Sequence, residues 1–384
     1  MAEILGKEKP HFHILDGLRG VAALLVVIFH VGEGFATNAT DQFLNHGYLA
    51  VDFFFVLSGF VVGYAYDDRW AEGGFTLGNF FRRRLIRLHP MVLLGAVLGA
   101  LSFAIQGFVK WDGTEVAVWN VIVAMLLTML MFPAWPGAMH EVRGNGELFP
   151  LNGPSWSLFF EYIANIAYAL ILHRLTTRRL ATVVALTAVA YAAFDLSNLS
   201  GSWFMNLGWT FADWNLPGGL LRVGLCFGIG MLLQRIFKPW RIKGAFTLCS
   251  LILLVLFAVP YITPVEGTTH WSNAIFEIMC VAVCFPIVVQ MGASGTLKGR
   301  ITETMCKFLG KISYPLYIVH YPVMYLLYSW LWSGERSTEA IVVAVAAAVT
   351  TSIVIAYLAM RFYDTPVRAW LSGKRISAAL GKNK

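Results

Sequence analysis

Long apolar runs recur along the whole chain, and they restrict what it can fold into more than any other feature. At about 20 residues per membrane crossing, the sequence predicts eleven such runs, near residues 17–37, 48–66, 88–107, 118–135, 154–173, 180–197, 217–236, 244–263, 272–291, 305–332 and 340–362. Of the 384 residues, 58% are hydrophobic and 13% are charged, whereas a soluble globular domain is about half apolar and a quarter charged. We therefore expect an all-α integral membrane protein, with one transmembrane domain over about residues 11–370 and short tails on either side.

Basic residues cluster in a few connecting segments and predict the orientation of the chain. The positive-inside rule assigns to the cytoplasm the basic stretches at 67–87, 173–179, 235–243, 298–300 and 373–384. It places outside the two segments without Lys or Arg, 197–216 and 264–271. Cytoplasmic N- and C-termini require an even number of crossings, so one of the two runs between residues 88 and 153 must be partial. Pro133 and Pro136 favour 118–135 as a re-entrant or interfacial segment, which leaves ten full crossings in a multi-pass protein of the cell membrane.

The same data disfavour several other classes of protein and site. The 29 Lys and Arg residues form no continuous basic stripe, so nucleic acid is not an expected partner. Residues 1–16 lack the apolar core and cleavage site of a secretory signal, so the first helix is predicted to be retained as an anchor. The five Cys residues lie in or beside apolar runs and are expected to pack there. We expect no metal site, because the "HFH" stretch at 11–13 is too short a constellation on its own.

Two ionisable residues stand out on the first apolar run, where a charge is costly and points to function. Arg19 and His30 are eleven residues apart, which is close to three helical turns, so they share one face about 16 Å apart along the axis. Asp52 in the next run is expected at a similar depth to His30, where its carboxylate would orient the imidazole as in hydrolytic triads. Two other interpretations remain open: His30 bonds a neighbouring carbonyl, or Asp52 lies at the outer surface.

The third apolar run is preceded by a cluster of arginines in the stretch "FFRRRLIRLHP". Arg84 and Arg87 are three residues apart and project from the same side of a helix. The guanidinium fork suits phosphate oxygens better than a lysine does. These arginines, with Arg82, therefore either bind an anionic ligand or serve only as a topology signal.

Polar side chains in two later runs are candidates for an acceptor side or for a structural role. Trp156, Glu161 and Tyr162 lie in the fifth run, and His320 lies in the tenth. Glu161 is expected either to form an ion pair with Arg222 or to line a pocket. His320 is expected either to pack with a satisfied hydrogen bond or to belong to the site.

Five stretches occur in order along the chain: "LDGLRGVAALLVVIFH", "VDFFFVLSGFVV", "FFRRRLIRLHP", "PSWSLFFEY" and "KISYPLYIVHYP". This ordered set resembles the acyltransferase family 3 integral-membrane acyltransferases over about residues 11–370. The Arg-x10-His pattern of the family matches Arg19 and His30, and its RxxR pattern matches Arg84 and Arg87. The resemblance implies a bundle of about ten helices that transfers an acyl group, often acetyl, from cytoplasmic acyl-CoA to an acceptor hydroxyl, commonly of a cell-envelope carbohydrate and sometimes of a lipid. Many members of the family carry a C-terminal SGNH domain, whereas this sequence stops soon after the last apolar run, so we expect the stand-alone transmembrane type.

The resemblance also implies roles for the polar residues, with acyl-CoA as a co-substrate and no permanently bound cofactor. His30, helped by Asp52, acts as general base on the acceptor or carries the acyl group itself. The CoA phosphates and the route of the donor are expected to be lined by Arg19, Arg82, Arg84 and Arg87. A partner protein would be needed for any scheme that uses a separate acyl-transfer domain. The alternative from another class is a transporter with a His/Asp/Arg relay, although the chain shows no inverted repeat.

Overall fold

In a computed structural model, residues 10–38, 41–262, 271–297 and 299–373 are described, and over these ranges the chain is helical without any β-sheet. The α-helices are α1 (His13–Glu33), α2 (Ala50–Ala71), α3 (Leu77–Ile105), α4 (Val118–Met129), α5 (Ser155–Leu170), α6 (Thr177–Leu196), α7 (Asn215–Ile236), α8 (Ala245–Ala258), α9 (Trp271–Met279), α10 (Phe285–Ser294), α11 (Arg300–Trp332), α12 (Thr338–Ala359) and α13 (Thr365–Leu371). A π-helical turn joins α9 to α10, and another joins α12 to α13. The predicted all-α membrane fold is therefore confirmed.

Eight of the described helical spans are long and apolar enough to cross a membrane: those formed by α1, α2, α3, α5, α6, α7, α9–α10 and α12–α13. Helix α11, with 33 residues, is also long enough. Helix α4 has 12 residues, about 18 Å, which is too short for a core of about 30 Å and agrees with the predicted partial segment at 118–135.

Helix α8 is shorter than the crossing predicted at 244–263. It has 14 residues, about 21 Å, and its last residue is Ala258. Pro260 explains this end, because a proline disfavours helical backbone in the residue before it. By length, α8 is grouped with α4 as a shorter apolar helix, but it still runs between the two ends of the bundle. Phe246 lies beside Gly17 near the start of α1, and the Phe257 carbonyl accepts a hydrogen bond from the His46 amide at 3.1 Å, just before α2 begins.

Helix α3 begins eleven residues before the predicted run, at Leu77 instead of residue 88. The Thr76 hydroxyl accepts a hydrogen bond from the Asn79 amide at 3.2 Å and caps this end, as serine and threonine commonly do. The arginines of the "FFRRRLIRLHP" stretch consequently lie on the first turns of a continuous helix. The helix that carries these arginines is therefore the one that continues into the bundle.

Close helix packing brings the functional faces together. Helix α1 packs along α11, and a Cβ on Gly20 would lie 2.6 Å from the carbonyl oxygen of Leu309. Helix α2 packs along α7, and a Cβ on Gly59 would lie 2.1 Å from the carbonyl oxygen of Phe227. Only glycine allows the backbones to approach this closely, as is common between membrane helices.

Irregular segments cover one end of the bundle, where α1 ends. The segments 130–154 and 197–214 meet there through a backbone hydrogen bond of 2.8 Å from Leu148 to Trp209 and an isolated bridge between Glu147 and Thr210. We call this the cavity end. The opposite end, where α1 and α3 begin, is called the arginine end.

Candidate active site

A cavity of about 270 Å³ lies at the cavity end, beside the last turn of α1. This volume is near the lower limit of the roughly 300–1,000 Å³ typical of small-molecule sites. Its wall is mainly aromatic, and its polar groups include His30 and the two carboxylates of Glu33 and Glu147. The aromatic lining residues are Phe29, Tyr48, Trp111, Trp156, Trp209, Tyr317, Tyr321, Tyr325, Tyr328 and Trp332.

The imidazole of His30 is held by a carboxylate on its own helix. Nδ1 of His30 lies 2.7 Å from Oε2 of Glu33, one turn further along α1. An ionised carboxylate only accepts hydrogen bonds, so this contact assigns the ring proton to Nδ1. The lone pair of Nε2 is then available to act as a base, which is the geometry of a histidine oriented by an acid.

Two tyrosines of α11 hold Glu33 in this position. The hydroxyl of Tyr321 donates to Oε2 of Glu33 at 3.4 Å, and that of Tyr328 lies 3.3 Å from the same oxygen. Tyr328 also donates to the backbone carbonyl of His30. The ring of Tyr321 packs edge-on against the imidazole, with the two centroids 4.7 Å apart. The His30–Glu33 pair is therefore fixed by contacts from a second helix, as a preorganised site requires.

The expected pairing of Asp52 with His30 is wrong. Asp52 is fully buried and forms a two-bond ion pair with Arg222 of α7, with distances of 3.0 and 2.7 Å. Arg222 also donates to the carbonyl oxygen of Leu207 at 2.6 Å. Asp52 points toward α7. Its contacts are those of a structural ion pair.

His320 lies next to His30, with the two ring centroids 5.2 Å apart. Its Nδ1 is 3.0 Å from the carbonyl oxygen of Leu316. Because a carbonyl can only accept, Nδ1 carries the proton. The other ring nitrogen, Nε2, is buried without a hydrogen-bond partner among the described residues. His320 therefore packs against His30 but is outside the set of residues that line the cavity, and its Nδ1 has the hydrogen bond that the packing interpretation expected.

The segment 130–154 contributes a second carboxylate to the cavity. Glu147 is 6% exposed and accepts a hydrogen bond from the Tyr325 hydroxyl. Arg143 lies behind that tyrosine, with its guanidinium carbon 3.4 Å from the ring centroid. Arg143 also donates to the carbonyl of Pro150 and to the side chain of Gln106, both at 2.6 Å. Arg143 therefore anchors the segment that presents Glu147.

Arg19 lies at the arginine end of the same α1 face. Its guanidinium donates to Ser313 at 2.9 Å, to the carbonyl of Gly310 at 2.9 Å and to Asp16 at 3.1 Å. It is partly buried, with 26% of the side chain exposed. Arg19 and His30 both face α11, as expected for two residues on one face of α1.

Arg87 differs from Arg19, Arg84 and Arg368, the partly buried arginines around it, because no described residue forms an ion pair or hydrogen bond with it. Arg19 and Arg84 each contact an acid, and Arg368 of α13 contacts Asp364 at 3.0 Å. The charges that act on Arg87 include those of Arg368, Arg19 and Arg84. We call these four residues the arginine cluster. Arg82 lies outside it, exposed, and donates to the carbonyl of Leu371 at 3.3 Å.

Glu161 does not pair with Arg222, as one interpretation expected, and it does not line the cavity. Its Oε1 lies 2.7 Å from Arg84 and accepts from Ser58 at 2.9 Å. Tyr162 is next to it and lies 3.2 Å from Nδ1 of His89 on α3. Of the fifth-run candidates, Trp156 alone lines the cavity. Helix α5 runs from the cavity end into the bundle. Glu161 and Tyr162, five and six residues after Trp156, therefore lie deeper and contact α3 rather than the cavity.

Three important residues were missed at the sequence level: Glu33, Glu147 and Arg368. Glu33 had a local signal, since His30 and Glu33 are three residues apart and such pairs meet on a helix. Glu147 and Arg368 had none, because Glu147 is far along the chain from Tyr325, and Arg368 is far along the chain from Arg87.

Comparisons with known proteins agree with this architecture. Residues 12–361 match the family described as Acyltransferase domain. Protein 2 in the picA locus of Rhizobium radiobacter is 36% identical over 185 residues, which are 46% of this chain and 91% of that protein. A putative O-acetyltransferase of Staphylococcus aureus (strain COL) is 26% identical over 383 residues, 92% of this chain and 57% of that protein. The chain thus spans a little over half the length of this curated relative.

A further relative is acyltransferase MdmB of Streptomyces mycarofaciens, which is 26% identical over 330 residues, 81% of this chain and 78% of that protein. No solved structure matches the chain. The family match takes in most of the sequence, including both helices that form the His30 site. This multi-pass membrane protein therefore belongs to acyltransferase family 3.

Proposed function

We propose that this protein is a membrane O-acyltransferase that moves an acyl group, acetyl in the simplest case, from acyl-CoA to a hydroxyl of a carbohydrate or lipid-linked acceptor. The observation that carries the proposal is the His30–Glu33 pair at the wall of an aromatic cavity, with an arginine cluster at the other end of α1. The names of the relatives from Staphylococcus aureus and Streptomyces mycarofaciens support acyl transfer.

The proposed reaction uses Nε2 of His30 as the base. It removes the proton from the acceptor hydroxyl as the oxygen attacks the thioester carbonyl carbon. A new C–O bond forms, the C–S bond breaks, and the leaving thiolate takes the proton back from His30. Glu33 stabilises the imidazolium between these two steps. Atoms and charges balance without any other reactant.

The donor is proposed to enter at the arginine end, which the positive-inside rule assigns to the cytoplasm. CoA has a phosphate-rich head on a long flexible arm that ends in the thioester. Within the arginine cluster, Arg87 is the member without a partner among the described residues. Arg19, Arg84 and Arg368 would each give up or share a carboxylate contact when a phosphate binds. Charge-assisted hydrogen bonds of this kind are the strongest available for such a head group.

The direct test of the proposal uses the purified full chain in liposomes with radiolabelled acetyl-CoA and an extract of cell-envelope glycans and lipids. Label is expected in an ester that mild alkali releases. Movement of the acceptor across the bilayer without any transfer of label would instead favour the transporter interpretation.

Replacing Arg87 with alanine is expected to raise the KM for acetyl-CoA by about 10–100-fold, as for loss of a hydrogen bond to a charged group, with kcat little changed. Arg368→Ala is expected to act in the same direction. The measurement compares acetyl-CoA with 3′-dephospho-acetyl-CoA, since loss of an arginine that binds the 3′-phosphate removes the difference between the two donors.

The matched control is Arg83→Ala, which removes one positive charge from an exposed position of the same helix. It is expected to leave the KM unchanged. If Arg83→Ala and Arg87→Ala raise the KM equally, or if both only alter insertion, the arginines act as a topology signal and not as a phosphate site.

Replacing Glu33 with glutamine is expected to lower kcat by about 10²–10⁴-fold, because an amide no longer fixes the base tautomer of the imidazole. The KM for acetyl-CoA is expected to stay within about twofold, since Glu33 lies far from the arginine cluster. Glu33→Asp keeps the carboxylate and is expected to recover part of the rate. A fall in both kcat and folded protein for all variants would assign Glu33 a purely structural role.

A further inference from the structure

The charges around the cavity have an uneven distribution. The carboxylates of Glu33 and Glu147 are among the residues that line it, whereas no Lys or Arg belongs to that lining set. Two guanidinium groups pack against rings of the cavity wall. That of Arg143 covers the face of Tyr325, and that of Arg222 lies 5.1 Å from the ring centroid of Trp156 and is bonded to Asp52.

Glu147 is the less neutralised of the two carboxylates. Glu33 contacts the imidazole of His30, which becomes positively charged during the proposed reaction. Glu147 forms no ion pair with a described residue, and its carboxylate accepts a hydrogen bond from the Tyr325 hydroxyl. Burial raises the pKa of Glu147 to about 7, and this effect outweighs the opposing effects of Tyr325, Arg143 and Asn145. A second negative charge beside it would therefore meet a carboxylate that has lost most of its water and has no guanidinium in direct contact.

The rest of the wall suits a polyhydroxylated ring. Four tryptophans and several tyrosines line a volume of about 270 Å³, which provides flat apolar faces together with hydroxyl and indole N–H groups. The Glu147 carboxylate adds an acceptor for a ligand hydroxyl or ammonium group. Small-molecule sites commonly combine such an apolar wall with a few fixed polar groups.

We infer that the cavity accepts uncharged or amino-bearing sugar rings and rejects rings that carry a carboxylate, sulfate or phosphate, and that Glu147 is the residue that makes this selection. The inference rests on the proposed function and adds to it the charge of the acceptor. Like charges placed together across a binding interface oppose association. The discrimination is therefore expected to be at least about tenfold in affinity.

The test measures binding, separately from acyl transfer. Three probes of nearly the same shape are used with the full chain in detergent: methyl β-glucopyranoside, the corresponding 2-amino glucoside and methyl β-glucuronide. Affinities are measured by saturation-transfer NMR at about pH 8, above the pKa of Glu147, so that its carboxylate is largely ionised. The neutral and amino-bearing probes are expected to bind at least about tenfold more tightly than the glucuronide.

Glu147→Gln keeps the size of the side chain and removes its charge. This variant is expected to bind the glucuronide within about threefold of the neutral glucoside, because most of the repulsion is lost. The matched control is Glu141→Gln, on the same segment, whose carboxylate pairs with Lys110 at 3.6 Å and lies outside the cavity lining. It is expected to keep the wild-type discrimination.

Two results would overturn the inference: equal binding of glucoside and glucuronide by the wild-type protein, or unchanged discrimination in Glu147→Gln. Absence of binding by all three probes would overturn it as well. Failure of the proposed function is recognised separately, as absence of label transfer from acetyl-CoA in a protein that still binds and discriminates the probes.

Discussion

Replacing His30 with alanine is expected to lower the rate of acyl transfer by about 10²–10⁴-fold, the usual contribution of a general base. The reason is that Nε2 of His30 is the proposed base, and Glu33 holds its imidazole at the cavity wall. The protein is expected to remain folded, because the His30 side chain lies at the cavity wall and supports no large part of the core. The measurement is label transfer from acetyl-CoA, normalised to the amount of folded protein in liposomes.

The control for this variant is His173→Ala, which removes an imidazole that stacks on Trp70 far from the cavity. It is expected to transfer at close to the wild-type rate. Wild-type transfer by His30→Ala would exclude His30 both as the base and as an acyl carrier. An acyl-enzyme trapped on His30 in rapid-quench experiments would instead select the covalent route.

The second large effect is expected on stability. Replacing Asp52 with asparagine leaves the fully buried Arg222 without a countercharge, and removing one partner of a buried ion pair costs about 3–5 kcal/mol. The free energy of unfolding is expected to fall by this amount. It can be measured by denaturant titration in detergent micelles, with transfer activity recorded on the fraction that remains folded.

The double variant Asp52→Leu with Arg222→Met removes both charges and is expected to regain part of the lost stability. Recovery is incomplete, because Arg222 also donates to the backbone carbonyls of Leu207 and Tyr48, which lose a donor. If Asp52→Asn is as stable as the wild type but inactive, then Asp52 has the catalytic role that its depth first suggested, and the ion pair is not its main function.

The first helix shows how far sequence reasoning reached. The spacing of Arg19 and His30 predicted a shared face, and both residues do face α11. Helical periodicity relates residues on one helix, so this step needed no knowledge of neighbours. The same helical spacing relates His30 to Glu33, one turn further along α1, whereas Asp52 lies on a different helix.

Contacts between helices could not be predicted from helical spacing. Depth counting put Asp52 level with His30, but depth specifies only height along the membrane normal and not the direction in which a side chain points. Helix α2 packs along α7, so Asp52 points to Arg222. Glu161 likewise meets Arg84 because α5 and α3 are neighbours, a relation that no local pattern contains.

The sequence by itself determined the class of protein, the order of the apolar segments, the shared face of Arg19 and His30 on α1, and the family. These follow from hydropathy, from helical period and from ordered motifs, all of which are local properties of the chain. Only the tertiary structure decided which acid contacts His30, which member of the arginine cluster has no partner among the described residues, and that Glu147 lines the cavity. The physical reason is that ion pairs and cavities depend on which helix faces are neighbours, and this is decided by packing among all of the helices together.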